Sequence, residues 1–401
     1  RQHPGVSSLS TPSISDVVDL LGELVAYPTE SRSPNVDLID HYADRAHRAG
    51  AELDVVPGEV GRANLHLRFG PDAPGGVLLS GHTDVVPAGT GWSTDPYALT
   101  EVGGRLAARG TADMKGFLAT ALVLLEEADL DALRAPVHLC LSYDEEIGCV
   151  GVRGLLDVLA SGSTGAGTCR PEVVVVGEPT GMRLCNAHAG KVAYRIDLTA
   201  ASGHSSRAGT EPTAVHEGAA LVALVQGLND PDRGISANVG SIHGGVAVNV
   251  LSPSCTLEFE VRHQADTDPD EVLAGVLKAV AEADRRLSAV GGHVTMESFI
   301  DYPGLETDPS LAPVAVMVDL VGSGAPGPVG FGTEGGLYSD RLGVPSVIVG
   351  PGDIADAHRP NETVAPDQLE QCGDVLRRTI HRFCSDDGPA AVGIAPVDHP
   401  S

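Results

Sequence analysis

The chain has 401 residues, of which 42% are hydrophobic and 20% charged, and its formal net charge is −28 at pH 7. A length of that order is more than one hydrophobic core usually serves, so two domains are expected; no run approaches the roughly 20 uncharged apolar residues of a membrane span. So acidic a surface has little to offer phosphates, which excludes nucleic acid as a partner.

In chain order, Ser13-Ile14-Ser15-Asp16 reads as a helix start ahead of the helical apolar spacing of Val17 to Val25. Asn35 to Arg48 gives a second helix, and Ala51 to Val56 and Ala63 to Phe69 give strands. Four short apolar runs then each lead to a metal-type ligand: Val77-Leu78-Leu79 into His82-Thr83-Asp84, Val137 to Leu141 into Glu145-Glu146, Val173 to Val176 into Glu178, and Val347 to Val349 towards His358. Buried parallel strands read as near-continuous Val/Ile/Leu runs, and open α/β sheets take ligands at the carboxyl ends of their strands. A metal site along one sheet edge is therefore expected. Asp113, heading a helix predicted over Asp113 to Asp129, adds a further carboxylate.

Beyond Asn186-Ala187-His188 the pattern changes. Lys191 to Thr199 alternates as a half-buried strand, Thr213 to Leu228 is helical, Ser236 to His243 and Cys255 to Arg262 are strands, and Asp270 to Val290 is a long helix. That order, closed by one more strand, matches a small α+β sandwich on an antiparallel sheet. Ligand-type signals resume at Gly332, so this unit is expected as an insertion: residues 1–188 and 301–385 form a catalytic domain, and 189–300 a lid and dimerisation domain. The polar, Gly- and Pro-rich tail, 386–401, reads as disordered. The expected fold class is α/β, a mixed and mainly parallel sheet flanked by helices, with an inserted α+β ferredoxin-like domain.

Seven cysteines, scattered and without close CxxC pairing, read as buried reduced thiols of a cytosolic protein rather than as a disulfide framework or a thiolate zinc site. The opening Arg1-Gln2-His3-Pro4-Gly5 has no apolar h-region, so no secretory signal is expected.

Taken singly, each ligand has an ordinary alternative. His82 could be a satisfied histidine at a strand end, Asp113 a helix cap, and Glu145-Glu146 a solvated acidic pair. Together they would crowd carboxylates on one edge, with severe repulsion and raised pKa values unless cations are present. A pair of divalent metals removes that conflict.

Gly81-His82-Thr83-Asp84-Val85-Val86-Pro87, Gly110-Thr111-Ala112-Asp113-Met114-Lys115-Gly116, Asp144-Glu145-Glu146-Ile147-Gly148 and Gly177-Glu178-Pro179-Thr180 resemble the four signatures of the M20 co-catalytic metallopeptidases and deacylases. The resemblance runs over about residues 14 to 384 and is strongest towards the acetylornithine deacetylase branch. It implies a catalytic domain of zinc-aminopeptidase type holding two Zn²⁺ per chain, with Co²⁺ as a substitute. Asp113 would bridge the ions, His82 and Glu178 would complete one, and Glu146 and His358 the other. Asp84 would accept the second ring N–H of His82 and fix its tautomer. Glu145, pointing away from Glu146 in an extended segment, would act as general base on the water between the metals.

Hydrolysis of an N-acyl amino acid without a covalent intermediate follows from the same resemblance. N2-acetylornithine, giving ornithine and acetate in arginine biosynthesis, is the leading substrate; another N-acyl amino acid, a specialised metabolite or a dipeptide are the alternatives. Gly203-His204-Ser205-Ser206 resembles the lid motif whose His reaches the partner subunit's active site, which implies a cytoplasmic homodimer joined through the lid. Asn249 and Arg262 match positions that bind the substrate α-carboxylate. Glu334, in a Gly-rich loop, is either a contact for the ornithine ammonium or a loop-ordering acceptor. One departure concerns the lid: Arg207 to Ala214 is one residue longer than the deacetylase pattern and has Thr213 in place of Asn.

Overall fold

The computed structural model describes residues 9–161 and 164–385; the tail read as disordered lies outside them. Its large sheet orders the strands Glu52–Pro57, Ala63–Phe69, Val137–Ser142, Val77–His82, Val173–Val176, Ser346–Ile348, Cys185–His188 and Leu305–Glu306, with Gly327–Pro328 also against Cys185–His188. The four central strands, from Val137–Ser142 to Ser346–Ile348, are mutually parallel, and their neighbours on both sides run antiparallel.

The apolar runs are continuous because both faces of the sheet are covered. Val77, Leu79, Val137, Leu139, Val173, Val175 and Val347 enter one core, while Leu78, Cys140, Val174, Val176 and Ile348 enter another. The first core packs the helices Ile14–Val25, Val36–Arg48, Gly116–Glu126 and Pro366–Cys384; the second packs Val152–Ala160 and Gly335–Leu342. Every residue from Gly116 to Leu125 is buried, so all but the last residue of that helix lies inside the protein. Each of its leucines contributes about 1.5–3 kcal/mol of burial.

Two glycines let this helix reach the ligand-bearing strand ends. A Cβ at Gly81 would stand 2.8 Å from Leu118 Cδ2 and Met114 Cε, and one at Gly177 would enter the Phe117 ring. Both glycines immediately precede a predicted ligand, His82 and Glu178. The close packing of the helix therefore sets the height of those ligands above the sheet.

A second, four-stranded antiparallel sheet runs in the order Ser236–Gly244, Ser254–His263, Gly190–Thr199, His293–Tyr302. The helices Ala214–Gln226 and Pro269–Ser288 bury one face around Leu198, Leu221, Leu257, Phe259, Leu273 and Leu287, which makes the βαββαβ order expected from the sequence. The chain leaves the large sheet after His188 and returns at Leu305, and these two residues are cross-strand partners. Entry and exit are thus adjacent. Among the described residues no helix is long and apolar enough to cross a membrane, and all seven cysteines are free and buried.

Two local expectations are corrected. The helix predicted from Asp113 starts at Gly116: Asp113 (φ −124°, ψ 91°) lies in an irregular turn, Thr111–Lys115, and its peptide to Met114 is cis. Glu145-Glu146 is not extended, because Asp144 has φ +54° and the chain turns, Gly148 and Cys149 both donating to the Glu145 carbonyl.

Candidate metal centre

The parallel strands deliver His82, Glu145-Glu146 and Glu178 to one edge, and the loop after Ser346–Ile348 brings His358 over it. His82 Nε2 lies 3.1 Å from Asp113 Oδ1 and 3.7 Å from Glu178 Oε1. His358 Nε2 lies 3.2 Å from Asp113 Oδ2 and 2.9 Å from Glu146 Oε2. Asp113 therefore turns one oxygen to each group, and the structure forms two three-donor clusters, His82/Asp113/Glu178 and Asp113/Glu146/His358. Donors around an ion held tetrahedrally at about 2.0–2.1 Å stand roughly 3.3 Å apart, so this nitrogen and oxygen set fits a pair of divalent ions. The first cluster is buried, whereas the His358 side chain is 47% exposed. The pair is open to solvent on the His358 side.

The electrostatics say the same. Burial, then the charges of Asp113 and Glu145, push the Glu178 carboxyl well above the usual range. Burial, then Asp113, pushes Glu146 up to about 7. Burial opposes a charged His82, yet its hydrogen bonds to Asp113 and Asp84 raise it well above the ordinary imidazole value. Bonds to Asp113, then Glu146, raise His358 to about 10. Each carboxylate raises the imidazole beside it, as expected where acidic groups are gathered at a buried site that fits cations.

Asp84 has more work than orienting His82. The His82 Nδ1 contact is 2.8 Å to the Asp84 main-chain carbonyl and 3.5 Å to its carboxylate. The carboxylate also accepts, at shorter range, from the main-chain N–H of Glu145 (3.0 Å) and Glu146 (3.3 Å) and from the Ser31 hydroxyl (2.8 Å). It thereby fixes the turn that separates the two glutamates. Glu145 is buried beside the clusters but belongs to neither, and its Oε1 accepts from Cys149 Sγ at 3.3 Å. Burial, with the like charge of Glu146 added, raises its pKa well above the usual value.

The remaining predicted residues sit elsewhere. Glu334 is 1% exposed, its Oε2 accepts from Ser80 Oγ at 3.1 Å, Oε1 has no protein partner, and burial lifts it to about 7. His204 and Asn249 are exposed at a separate two-stranded pairing, Gly203–His204 with Val250–Leu251, where Ser205 N–H donates to Asn249 O (3.1 Å) and His204 Nδ1 meets Ser206 Oγ (2.9 Å). Arg262 Nε donates to Glu260 at 3.3 Å. In the departing loop Thr213 caps the helix Ala214–Gln226 by accepting from His216 N–H, a role that Asn fills equally well.

Sequence reasoning missed the supports. Glu362 is 1% exposed and pairs with buried Arg109 (2.6 Å), while its other oxygen accepts from the N–H groups of Ala112 (3.0 Å) and Asp113 (3.1 Å). Arg62 and the Arg32 N–H hold Asp144 at the head of the glutamate turn. Glu362 follows His358 in a polar run, and nothing local marks it as buried. Because breaking a buried pair strands a charge, Glu362→Ala is expected to cost about 3–5 kcal/mol in urea unfolding. A loss below about 1 kcal/mol, the range of exposed pairs, would deny Glu362 that role.

The family model for peptidase family M20/M25/M40 matches residues 78–382. The chain is 30% identical to the acetylornithine deacetylase of Shigella sonnei (strain Ss046) over 391 residues, 94% of this chain and 96% of that one. Among solved structures, an M20 family metallo-carboxypeptidase from Sulfolobus solfataricus superposes with a TM-score of 0.73 at 18% identity, covering 91% of this chain and 98% of the other. A dinuclear metal-binding peptidase of the M20 family from Bacillus subtilis gives a TM-score of 0.63 at 14% identity, over 92% and 97%.

Proposed function

The chain belongs to peptidase family M20/M25/M40, and we propose that within it this protein is a dinuclear zinc amidohydrolase that removes the acyl group from an N-acyl amino acid, N2-acetylornithine first. The observation that carries the hydrolase reading is Asp113, with one oxygen towards His82 and the other towards His358. Its likeness to the Shigella enzyme supports the substrate and a place in arginine biosynthesis.

Two bound divalent ions polarise an acyl carbonyl and lower the pKa of a water. His82, Asp113 and Glu178 would hold one, and Asp113, Glu146 and His358 the other. Glu145, set beside both clusters by the Asp84 clamp, takes the water's proton and returns it to the leaving amine. His204 supplies a donor to the oxyanion from the partner subunit, and Asn249 and Arg262 receive the α-carboxylate, Arg262 exchanging its bond to Glu260 for one to substrate. The inserted unit, about 189–300, thus acts as lid and as the joint of a homodimer. The exposure of His204 supports this, and seven unpaired thiols suit a reducing cytoplasm.

A panel of N-acetyl amino acids and dipeptides scored by kcat/KM tests the substrate. N2-acetylornithine is expected to lead acetylmethionine and the dipeptides by about tenfold or more, the discrimination a few specific contacts provide. If a dipeptide or another acyl amino acid leads, the substrate assignment falls and the hydrolase reading stands. The buried position of Glu334 favours its ordering role. Glu334→Gln is accordingly expected to lower kcat/KM on acetylornithine and on acetylmethionine by equal factors, and a loss confined to acetylornithine would restore the ammonium contact.

A further inference from the structure

A third donor cluster lies away from the centre just described. His66, on Ala63–Phe69, and His138, on Val137–Ser142, are both fully buried on adjacent antiparallel strands. Cys169 arrives from the loop after the helix Val152–Ala160 and is 5% exposed. One ring nitrogen of each histidine and the Cys169 thiol lie within 4.8 Å of one another. The turn carrying Cys169 is tied down by its neighbours: Gly165 N–H donates to Asp54 (2.9 Å), Thr168 N–H to Asp72 (2.8 Å), and Arg68 to the Ala166 carbonyl.

The two imidazoles do not satisfy each other. His66 Nε2 and His138 Nδ1 share one hydrogen bond at 3.0 Å, while His66 Nδ1 and His138 Nε2 are buried with no partner in the protein. Leaving two buried polar atoms unpaired is costly, so the cluster is a poor ordinary core. We propose that His66, His138 and Cys169 form a binding site for a single soft monovalent cation, Cu⁺.

The donor set selects that class of ion. Thiolate and imidazole ligands suit soft metals. Binding requires the Cys169 S–H to give up its proton to solvent as the sulfur–metal contact forms. Two neutral imidazoles and one thiolate then carry a single negative charge, which a monovalent cation cancels. A divalent ion would leave net positive charge in a dry site beside Arg68, and would lack the fourth ligand that structural Zn²⁺ takes; among the described residues this cluster has three members. Burial also holds His66 and His138 down to about 4 and about 3, so both rings keep a lone pair at neutral pH. His138 lies near the start of the strand whose far end leads to Glu145-Glu146, so the site is separate from the hydrolytic centre.

The test uses the zinc-loaded, reduced protein, titrated anaerobically with Cu⁺ against a chromogenic Cu⁺ chelator and followed by X-ray absorption at the copper edge. The wild type is expected to retain one Cu⁺ per chain with two nitrogen neighbours and one sulfur, with hydrolase activity unchanged. Cys169→Ala, a substitution in a loop, and His138→Phe, within the sheet, are each expected to lose that copper. Cys372→Ala, altering a thiol buried in the last helix, is expected to keep it. Copper retained by Cys169→Ala, an all-sulfur environment, no retention by the wild type, or added Zn²⁺ displacing Cu⁺ would each overturn the proposal.

Discussion

Glu145→Gln is expected to lower kcat on N2-acetylornithine by about 10² to 10⁴-fold, the usual contribution of a positioned general base, with KM and metal content little changed. Gln preserves the shape of the side chain and an oxygen to accept from Cys149 Sγ. The main-chain N–H of residue 145 still meets Asp84, so the turn survives. What is lost is the ability to take a proton. Since Glu145 belongs to neither donor cluster, both metals should remain. A rise in KM with kcat intact, or loss of one metal equivalent, would show instead that Glu145 binds substrate or metal.

Stripping the metals with a chelator is expected to abolish turnover and to make stability fall as pH rises. In the metal-free protein Glu146 is raised from 4.5 to about 7, by burial and then Asp113. His358 is raised from 6.5 to about 10, by its bonds to Asp113 and Glu146. Both groups hold more protons folded than unfolded, so each contributes stability that disappears with increasing pH. The Glu146 contribution is complete below 4.5 and gone above about 7; that of His358 is complete below 6.5 and gone above about 10. Asp113, held below the usual carboxylate range by His358 and His82 in spite of its burial, opposes this trend only at strongly acid pH. In the loaded protein the same residues must be deprotonated to serve as ligands, which reverses the slope over the acid side of the window. Melting curves of both forms between pH 5 and pH 9 measure the difference. Parallel slopes would mean that the metals are not held by these groups.

The candidate ligands are legible because each follows a short apolar run, and a hydrophobic run is a local signal. His82, Glu146, Glu178 and His358 thus announced one sheet edge before any pairing was known. Asp113 was legible as a carboxylate but not in its geometry, since a helix start was the simpler reading of the sequence around it. Its non-helical backbone is imposed from outside, by Glu362, 249 positions further on. The turn at Glu145-Glu146 was hidden for a similar reason: the acceptor that bends it, Asp84, lies 61 residues earlier.

By itself the sequence determined the α/β class, the βαββαβ order of the second sheet and the candidate ligands it carries to one sheet edge, because strand and helix periodicity reside in neighbouring residues. Tertiary structure alone decided how Asp113 divides its oxygens, how Asp84 and Glu362 hold the turns, and that Cys169 meets His66 and His138. Strand pairing and loop docking place distant donors side by side, and no local pattern along the chain encodes that proximity.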